Sequence, residues 1–259
     1  MTDRPLALVL RALGTNCEEE TARALELAGA STRTLHVNRL AEAPEALDGA
    51  QLLVVPGGFS YGDYVSAGRL FGHELRTRLG EAIGAFVEGG GRVLGVCNGF
   101  QVLVELGLID GIGTRPDERR IALTANRSNR YECRWVWLRN EDSRCDWLPT
   151  GEVWPVPVAH AEGRIALAED SDLGRLEAAG QVALRYVTED GGRADYPACP
   201  NGSVSEIAGL CDPTGRVLGL MPHPERALTP WNHPRWTRLP ERKEGEGLAF
   251  YRGLVGALA

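Results

Sequence analysis

The chain has 259 residues, with 28 Lys+Arg against 35 Asp+Glu, a net charge of −7 and a pI near 5.4. A composition of 43 % hydrophobic and 24 % charged residues in a chain this long excludes disorder, a collagen-like repeat and a small disulfide-stapled scaffold. The acidic balance argues against nucleic acid as the partner, despite an arginine-rich stretch from Arg115 to Arg144, and no run reaches the roughly 18 apolar residues that a membrane helix needs.

Leu6–Leu10 is an apolar run between Arg4 and Arg11, too short for the core of a secretion signal, and it reads as a strand. Glu18–Leu27 follows as a helix with acids in its first turn and a stop at Gly29. Gln51–Val55 is β-rich and halts at Pro56-Gly57-Gly58; Glu74–Glu88 has helical periodicity and ends in three glycines. Arg92–Val96 then reads as a strand and Asn98–Leu106 as a helix stopped by Gly107. Strands alternating with helices of this length predict an α/β fold, a mostly parallel sheet with helices on both faces. From about Arg119 the texture changes to strands joined by turns, at Tyr131–Leu138, Glu152–Val158, Gln181–Val187 and Arg216–Met221. With no Ser/Pro/Gly linker between the halves, this predicts a mixed or antiparallel extension of the same sheet in one domain, residues 1–259. Thr229–Gly247 reads as a surface loop before a last helix at Leu248–Leu258.

Six cysteines are scattered without a C-x-x-C pair, which predicts neither a zinc cluster nor a redox dithiol and fits a reducing cytoplasm. One of them stands out. Gly95-Val96-Cys97-Asn98-Gly99 lies between a strand and a helix, the nucleophile-elbow pattern with Cys in place of Ser. Small residues on either side permit a sharp turn that lifts the sulfur above the sheet. The helix that follows aims its free N–H groups at it, favouring the reactive thiolate. The pentapeptide alone is equally a buried Cys at a tight turn.

His223-Pro224-Glu225 after the last predicted strand supplies what that thiol would need. Pro224 pushes His223 toward an extended conformation, in which residues two apart face one side. Cys97, His223 and Glu225 then form a nucleophile, a base and a carboxylate that orients the base. Taken by itself, His223-Pro224-Glu225 is a stiff surface turn. Gly57-Gly58, at another strand end, offers bare backbone N–H groups for an oxyanion hole, with the N–H of Asn98 as the second donor; it also reads as a plain turn. The glycines fit neither a dinucleotide nor a Walker phosphate loop.

In these residues and their flanks, the sequence resembles the class I, triad-type glutamine amidotransferases, and among them the glutaminase subunits of phosphoribosylformylglycinamidine synthases. The resemblance rests on Leu13–Glu18 (LGTNCE), Gly57–Tyr64 (GGFSYGDY), Cys97–Gln101 (CNGFQ), Pro200–Ser203 (PNGS) and Met221–Arg226 (MPHPER). These strings run from near residue 10 almost to the last helix. The sequence departs from the family pattern at Ala161, where a glycine is expected. The resemblance implies a flavodoxin-like fold, Cys97 as nucleophile, His223 as base and Glu225 as its orienter. It also implies Gly58 and Asn98 as oxyanion donors, Gln101 at the glutamine pocket, and His160 nearby. Its further implications are a cytoplasmic enzyme with no metal or cofactor on this chain and glutamine as substrate. An ATP-dependent synthetase subunit would carry ATP and Mg, and a small third subunit would complete the assembly.

Other residues compete for these roles. Cys17 also lies between a strand and a helix, but Glu18, Glu19 and Glu20 beside it oppose a thiolate, so it reads as structural or as part of a subunit contact. His36, His73 and His233 have no partner pattern; Trp135, Trp137, Trp147 and Trp154 read as core or interface. Nothing in the sequence sets the distance between Asp195 and Glu206. Two other readings of the whole chain stand beside the glutaminase: a cysteine hydrolase or peptidase of the same architecture, and a silent regulatory subunit.

Overall fold

A computed structural model describes residues 4–111, 115 and 117–258. The first half folds as alternating strands and helices: β1 (Leu6–Arg11), α1 (Glu18–Ala28), β2 (Ser31–His36), α2 (Val37–Glu42), β3 (Leu52–Val55), α3 (Arg69–Glu88), β4 (Arg92–Val96) and α4 (Asn98–Leu106). In the second half come β5 (Ile121–Thr124), β6 (Glu132–Asn140), β7 (Val153–His160), β8 (Arg164–Leu167), α5 (Ser171–Ala178), β9 (Val182–Val187), β10 (Ile207–Cys211), β11 (Val217–Leu220) and α6 (Gly247–Gly256).

Nine of these strands form one sheet in the order β2-β1-β3-β4-β11-β10-β9-β6-β7, while β5 and β8 pair separately. The first five in that order run parallel, with β11 in the fifth place of a flavodoxin-like 2-1-3-4-5 arrangement. The remaining four are antiparallel. The predicted α/β sheet with a mixed extension is therefore the fold observed. The central strands β3 and β11 are buried along their whole length, as expected for parallel strands covered on both faces. Removing that surface from water is the main stabilising contribution.

Several elements escaped the sequence reading. β2 is an edge strand with no buried residue, so STRTLH gives no apolar alternation. α3 begins five residues before the predicted Glu74: Gly68, in the left-handed region at φ 75°, starts it, and Phe71 joins Leu75, Leu79, Ile83 and Val87 on its buried face. The last helix starts at Gly247, and the 229–247 stretch is a loop holding two short 3-10 turns.

Parallel strands deliver their carboxyl ends to one edge of the sheet, where α/β proteins place their sites. Here β1, β3, β4 and β11 end in the segments 14–17, 57–58, 97 and 221–225.

Candidate active site

Cys97 sits between β4 and α4 at φ 51°, ψ −106°, a conformation closed to most L-residues. The glycines around it explain how the chain gets there. A Cβ on Gly99 would lie 1.8 Å from the Val55 carbonyl oxygen, and one on Gly95 would lie 2.7 Å from that of Gly99. Any side chain at these positions would push α4 off β3 and β4 and open the turn. The Cys97 N–H donates to the Leu220 carbonyl at 2.7 Å, tying the elbow to β11. Its Sγ lies 3.7 Å from the carbonyl oxygen of Ala159 in β7.

His223 follows β11 and is 2 % exposed. It is held by its own N–H, which donates to the Pro157 carbonyl at 2.9 Å. Its Nδ1 lies 2.6 Å from Oε1 of the buried Glu225. The structure corrects one detail of the local prediction. Pro224–Arg226 form a single 3-10 turn rather than a continued extended piece, and Glu225 meets His223 by curling back within that turn. With Nδ1 committed to the carboxylate, Nε2 is the ring nitrogen left for chemistry, and it is buried without a hydrogen-bond partner. Burial by itself would depress the imidazole, but the Glu225 carboxylate and the sulfurs of Cys97 and Cys17 outweigh it. The net effect holds the ring well above the usual histidine range.

Cys97 and His223 share the wall of a cavity of about 50 Å³ with Gly58, Cys17, Tyr131 and Arg226. Gly58 reaches it at φ 147°, a left-handed conformation, and a Cβ there would lie 2.7 Å from Thr15 Cα. Asn98 stands directly after Cys97, the position expected of an oxyanion donor. Its side chain has a separate task, accepting from Ser60 N–H at 3.1 Å and donating to Asp63 and Gln101 at 3.0 Å. It thereby pins the 57–64 loop to α4. Gln101 is 5 % exposed, and its amide is engaged by Asn98 and by the Glu162 carbonyl, which accepts from Nε2. It shapes the wall between α4 and the 159–163 segment.

His160 Nδ1 lies 3.1 Å from Asn126 Oδ1. Burial, with the positive His223 adding to it, pushes the His160 ring down to about 4. It is therefore neutral at pH 7. Asn201 and Ser203, from the PNGS string, hold the same segment: Asn201 Nδ2 donates to the Gly163 carbonyl at 2.6 Å, and Ile165 N–H donates to Ser203 Oγ at 2.9 Å. That string therefore buttresses the site.

Cys17 lies beside the site: its Sγ would touch a Cβ placed on Gly57 at 3.0 Å, and His223 Cε1 would touch the same Cβ at 2.9 Å. The acids beside it do not set its state. Burial pushes the thiol up to about 11, with the neighbouring His223 opposing and the Glu225 charge adding. Glu20 is instead occupied by Arg226, whose Nε lies 2.7 Å away while its Nη2 donates to Cys17 Sγ at 3.1 Å. Arg226 was not singled out from the sequence, although it stands in the same string as His223 and Glu225. Tyr131, half exposed over the cavity, gave no sequence signal at all.

The competing residues lie elsewhere. Asp195 and Glu206 line a separate groove of about 370 Å³, and Glu206 is paired with Arg193 at 3.0 Å. Trp147 and Trp154 are core residues. His233 is buried edge-on against Trp135 with ring centroids 4.9 Å apart. Among the described residues no helix is long and apolar enough to cross a membrane.

Comparison with known proteins places this geometry. The family model of the CobB/CobQ-like glutamine amidotransferase domain matches residues 4–255. Phosphoribosylformylglycinamidine synthase subunit PurQ of Dehalococcoides mccartyi is 42 % identical, over 96 % of this chain and 95 % of the relative. The chain belongs to the PurQ family of glutamine amidotransferases. The PurQ of Picrophilus torridus is 41 % identical over 98 % of this chain and 99 % of its own. In the solved structure of PurLQS from Thermotoga maritima, one chain superposes with a TM-score of 0.74 at 30 % identity, covering 99 % of this chain and all of that one. The family resemblance read from the sequence, the fold and the amidotransferase class are those of the PurQ family.

Proposed function

We propose that this chain is the glutaminase subunit of a phosphoribosylformylglycinamidine synthase, releasing ammonia from glutamine for an ATP-dependent synthetase subunit that converts formylglycinamide ribonucleotide into formylglycinamidine ribonucleotide. The names of its relatives support that reaction and its place in purine biosynthesis. The likeness to a chain of the Thermotoga maritima PurLQS supports an assembly with a synthetase and a small third subunit. ATP and Mg belong, on this reading, to the synthetase, and the assembly works in the cytoplasm. The observation that carries the proposal is the placement of His223 Nε2. Glu225 holds the ring through Nδ1, which leaves Nε2 buried and unpartnered, and His223 lines the cavity that Cys97 and Gly58 share.

The chemistry follows from that placement. Cys97 Sγ passes its proton to Nε2 of His223 and attacks the side-chain amide carbon of glutamine, and the developing oxyanion is taken by the N–H groups of Gly58 and Asn98. His223, kept protonated by the Glu225 carboxylate, gives its Nε2 proton to the departing nitrogen. Ammonia leaves and a γ-glutamyl thioester remains on Cys97. Water then adds to the thioester while Nε2 takes back a proton, and glutamate and the thiol are regenerated. By the family resemblance Gln101 belongs to the glutamine pocket, with His160 near it.

Cys97→Ala in the assembled complex should abolish glutamine-dependent synthesis while ammonia-dependent synthesis persists, since the sulfur is needed only to free the nitrogen. Loss of both activities in a folded, assembled variant would contradict the proposal.

A further inference from the structure

Glu162, in the turn between β7 and β8, sends its side chain and its carbonyl to different parts of the molecule. Oε2 accepts from Ser66 Oγ and from the Ala67 N–H, each at 3.2 Å. The carbonyl accepts from Gln101 Nε2. Gln101 Oε1 in turn accepts from Asn98 Nδ2 at 3.0 Å, and Asn98 also bonds the Ser60 N–H at 3.1 Å and Asp63 at 3.0 Å. These contacts close a ring through three segments: the 60–67 loop, the first turn of α4 and the β7–β8 turn. Each segment adjoins the cavity of Cys97, since Gly58 and Phe59 precede the loop, Asn98 follows Cys97 and Ala159 stands just before the turn.

The loop needs such a hold. Tyr61, Asp63 and Val65 stand at φ 54°, 52° and 74°, a region that disfavours a β-branched valine most of all. Strained backbone persists only where its surroundings over-determine it. Tyr61 packs against Phe71, with ring centroids 6.0 Å apart, and secures the near half. Burial does not secure the far half, because Tyr64 and Val65 are 73 % and 80 % exposed. Among the described residues, the side-chain hydrogen bonds that reach 64–67 both end on Glu162.

We propose that Glu162 is a positioning residue for glutamine hydrolysis: its carboxylate clasps the strained loop to the β7–β8 turn and so fixes the Gly58 and Asn98 N–H groups that take the oxyanion. The oxyanion exists only once the amide carbon has been attacked. Loosening its donors therefore lowers kcat more than it changes KM for glutamine. The catalytic half of the proposal rests on the glutaminase reading, whereas the clasp itself does not.

Amide hydrogen exchange on the full chain reads the clasp, and steady-state glutamate release by the assembled complex reads its consequence. Glu162→Ala should speed exchange across 60–68 while the strands of the sheet exchange as in the parent. It should lower kcat by about tenfold or more, short of the roughly 10²–10³-fold cost of a lost oxyanion donor, with a smaller change in KM. Glu162→Gln keeps an oxygen that can accept from Ser66 and Ala67, and it should restore both readouts toward those of the parent. Ser66→Ala removes one of the two bonds and should fall between the parent and Glu162→Ala. Unchanged exchange in Glu162→Ala would overturn the clasp. Faster exchange with a parental kcat, a rise in KM alone, or no recovery in Glu162→Gln would overturn the positioning role. A parent complex that releases no glutamate would contradict the glutaminase reading and the oxyanion role with it, and the exchange result would still decide the clasp.

Discussion

Two strand-to-helix turns bring a cysteine to the wall of one cavity with the same histidine, and they are built differently. At the β4–α4 turn, Cys97 is held at φ 51°, ψ −106°, between glycines that let α4 approach β3 and β4 closely. The helix behind it, NGFQVLVEL, has no acid in its first turn. At the β1–α1 turn, Cys17 has φ −106°, ψ 9°, an unstrained value, and the helix opens with Glu18, Glu19 and Glu20. Its sulfur is fixed by Arg226 and Asn16 at 3.1 Å each. Proximity to a base is shared. Backbone strain, a helix end free of acids and a sulfur with no arginine on it separate the two, and on the proposed reading these suit Cys97 rather than Cys17 to attack.

The largest effect that would break this comparison is loss of the elbow sulfur. Cys97→Ala should reduce glutamine hydrolysis by on the order of 10⁶-fold, the scale on which a removed nucleophile is felt. Steady-state glutamate release by the assembled complex measures it, and substantial residual turnover would shift the role toward Cys17. Next come the partners of the base. His223→Ala removes the proton carrier and Glu225→Ala only its orientation, so the second variant should keep the higher residual rate, within about 10²–10⁴-fold of the parent. Equal residual rates in folded variants would remove that ranking.

A smaller effect concerns the 57–64 loop, which carries Gly58 and holds Tyr61 and Asp63 at positive φ. Phe59, Tyr64 and Val65 stand exposed beside it. A glutaminase without an acceptor wastes glutamine. The isolated chain is therefore expected to run about 10²–10³-fold slower than the complex with its nucleotide substrates, the cost of one misplaced oxyanion donor. Full activity in the isolated chain would contradict this.

Two tests address the scaffold. Gly99→Ala places a Cβ against the Val55 carbonyl and should destabilise the fold by about 1–3 kcal/mol, read from the midpoint of urea unfolding. An unchanged midpoint would deny the elbow its tight packing. His223, whose pKa is raised in the folded chain, contributes stability that is complete below about pH 6.5 and is lost as pH rises through the folded-state value. The urea midpoint should fall through that alkaline window in the parent and stay flatter in His223→Gln.

Cys97, His223, Glu225 and Gly58 were legible in the sequence because each stands at a strand end within a short string whose chemistry is local. Three strands of the parallel half, β1, β3 and β4, were legible for a related reason: they contain continuous apolar runs, and the helices α1 and α4 end at glycines. The place of Cys17 beside the site was not legible because the residues that decide its surroundings, His223 and Arg226, lie some two hundred positions away. The roles of Asn126, Asn201 and Ser203 are hydrogen bonds between distant loops, and no periodicity encodes them. β2 was missed because an exposed edge strand has no buried face to pattern.

The most direct measurement of the central claim is to let the two thiols compete. The assembled complex is treated with an electrophilic glutamine analogue that the site takes up as substrate, and the labelled peptide is identified by mass spectrometry. Modification should fall on Cys97 alone, with glutamine protecting it and with labelling slowed in His223→Ala. A label on Cys17, or one that ignores both glutamine and His223, would contradict the assignment.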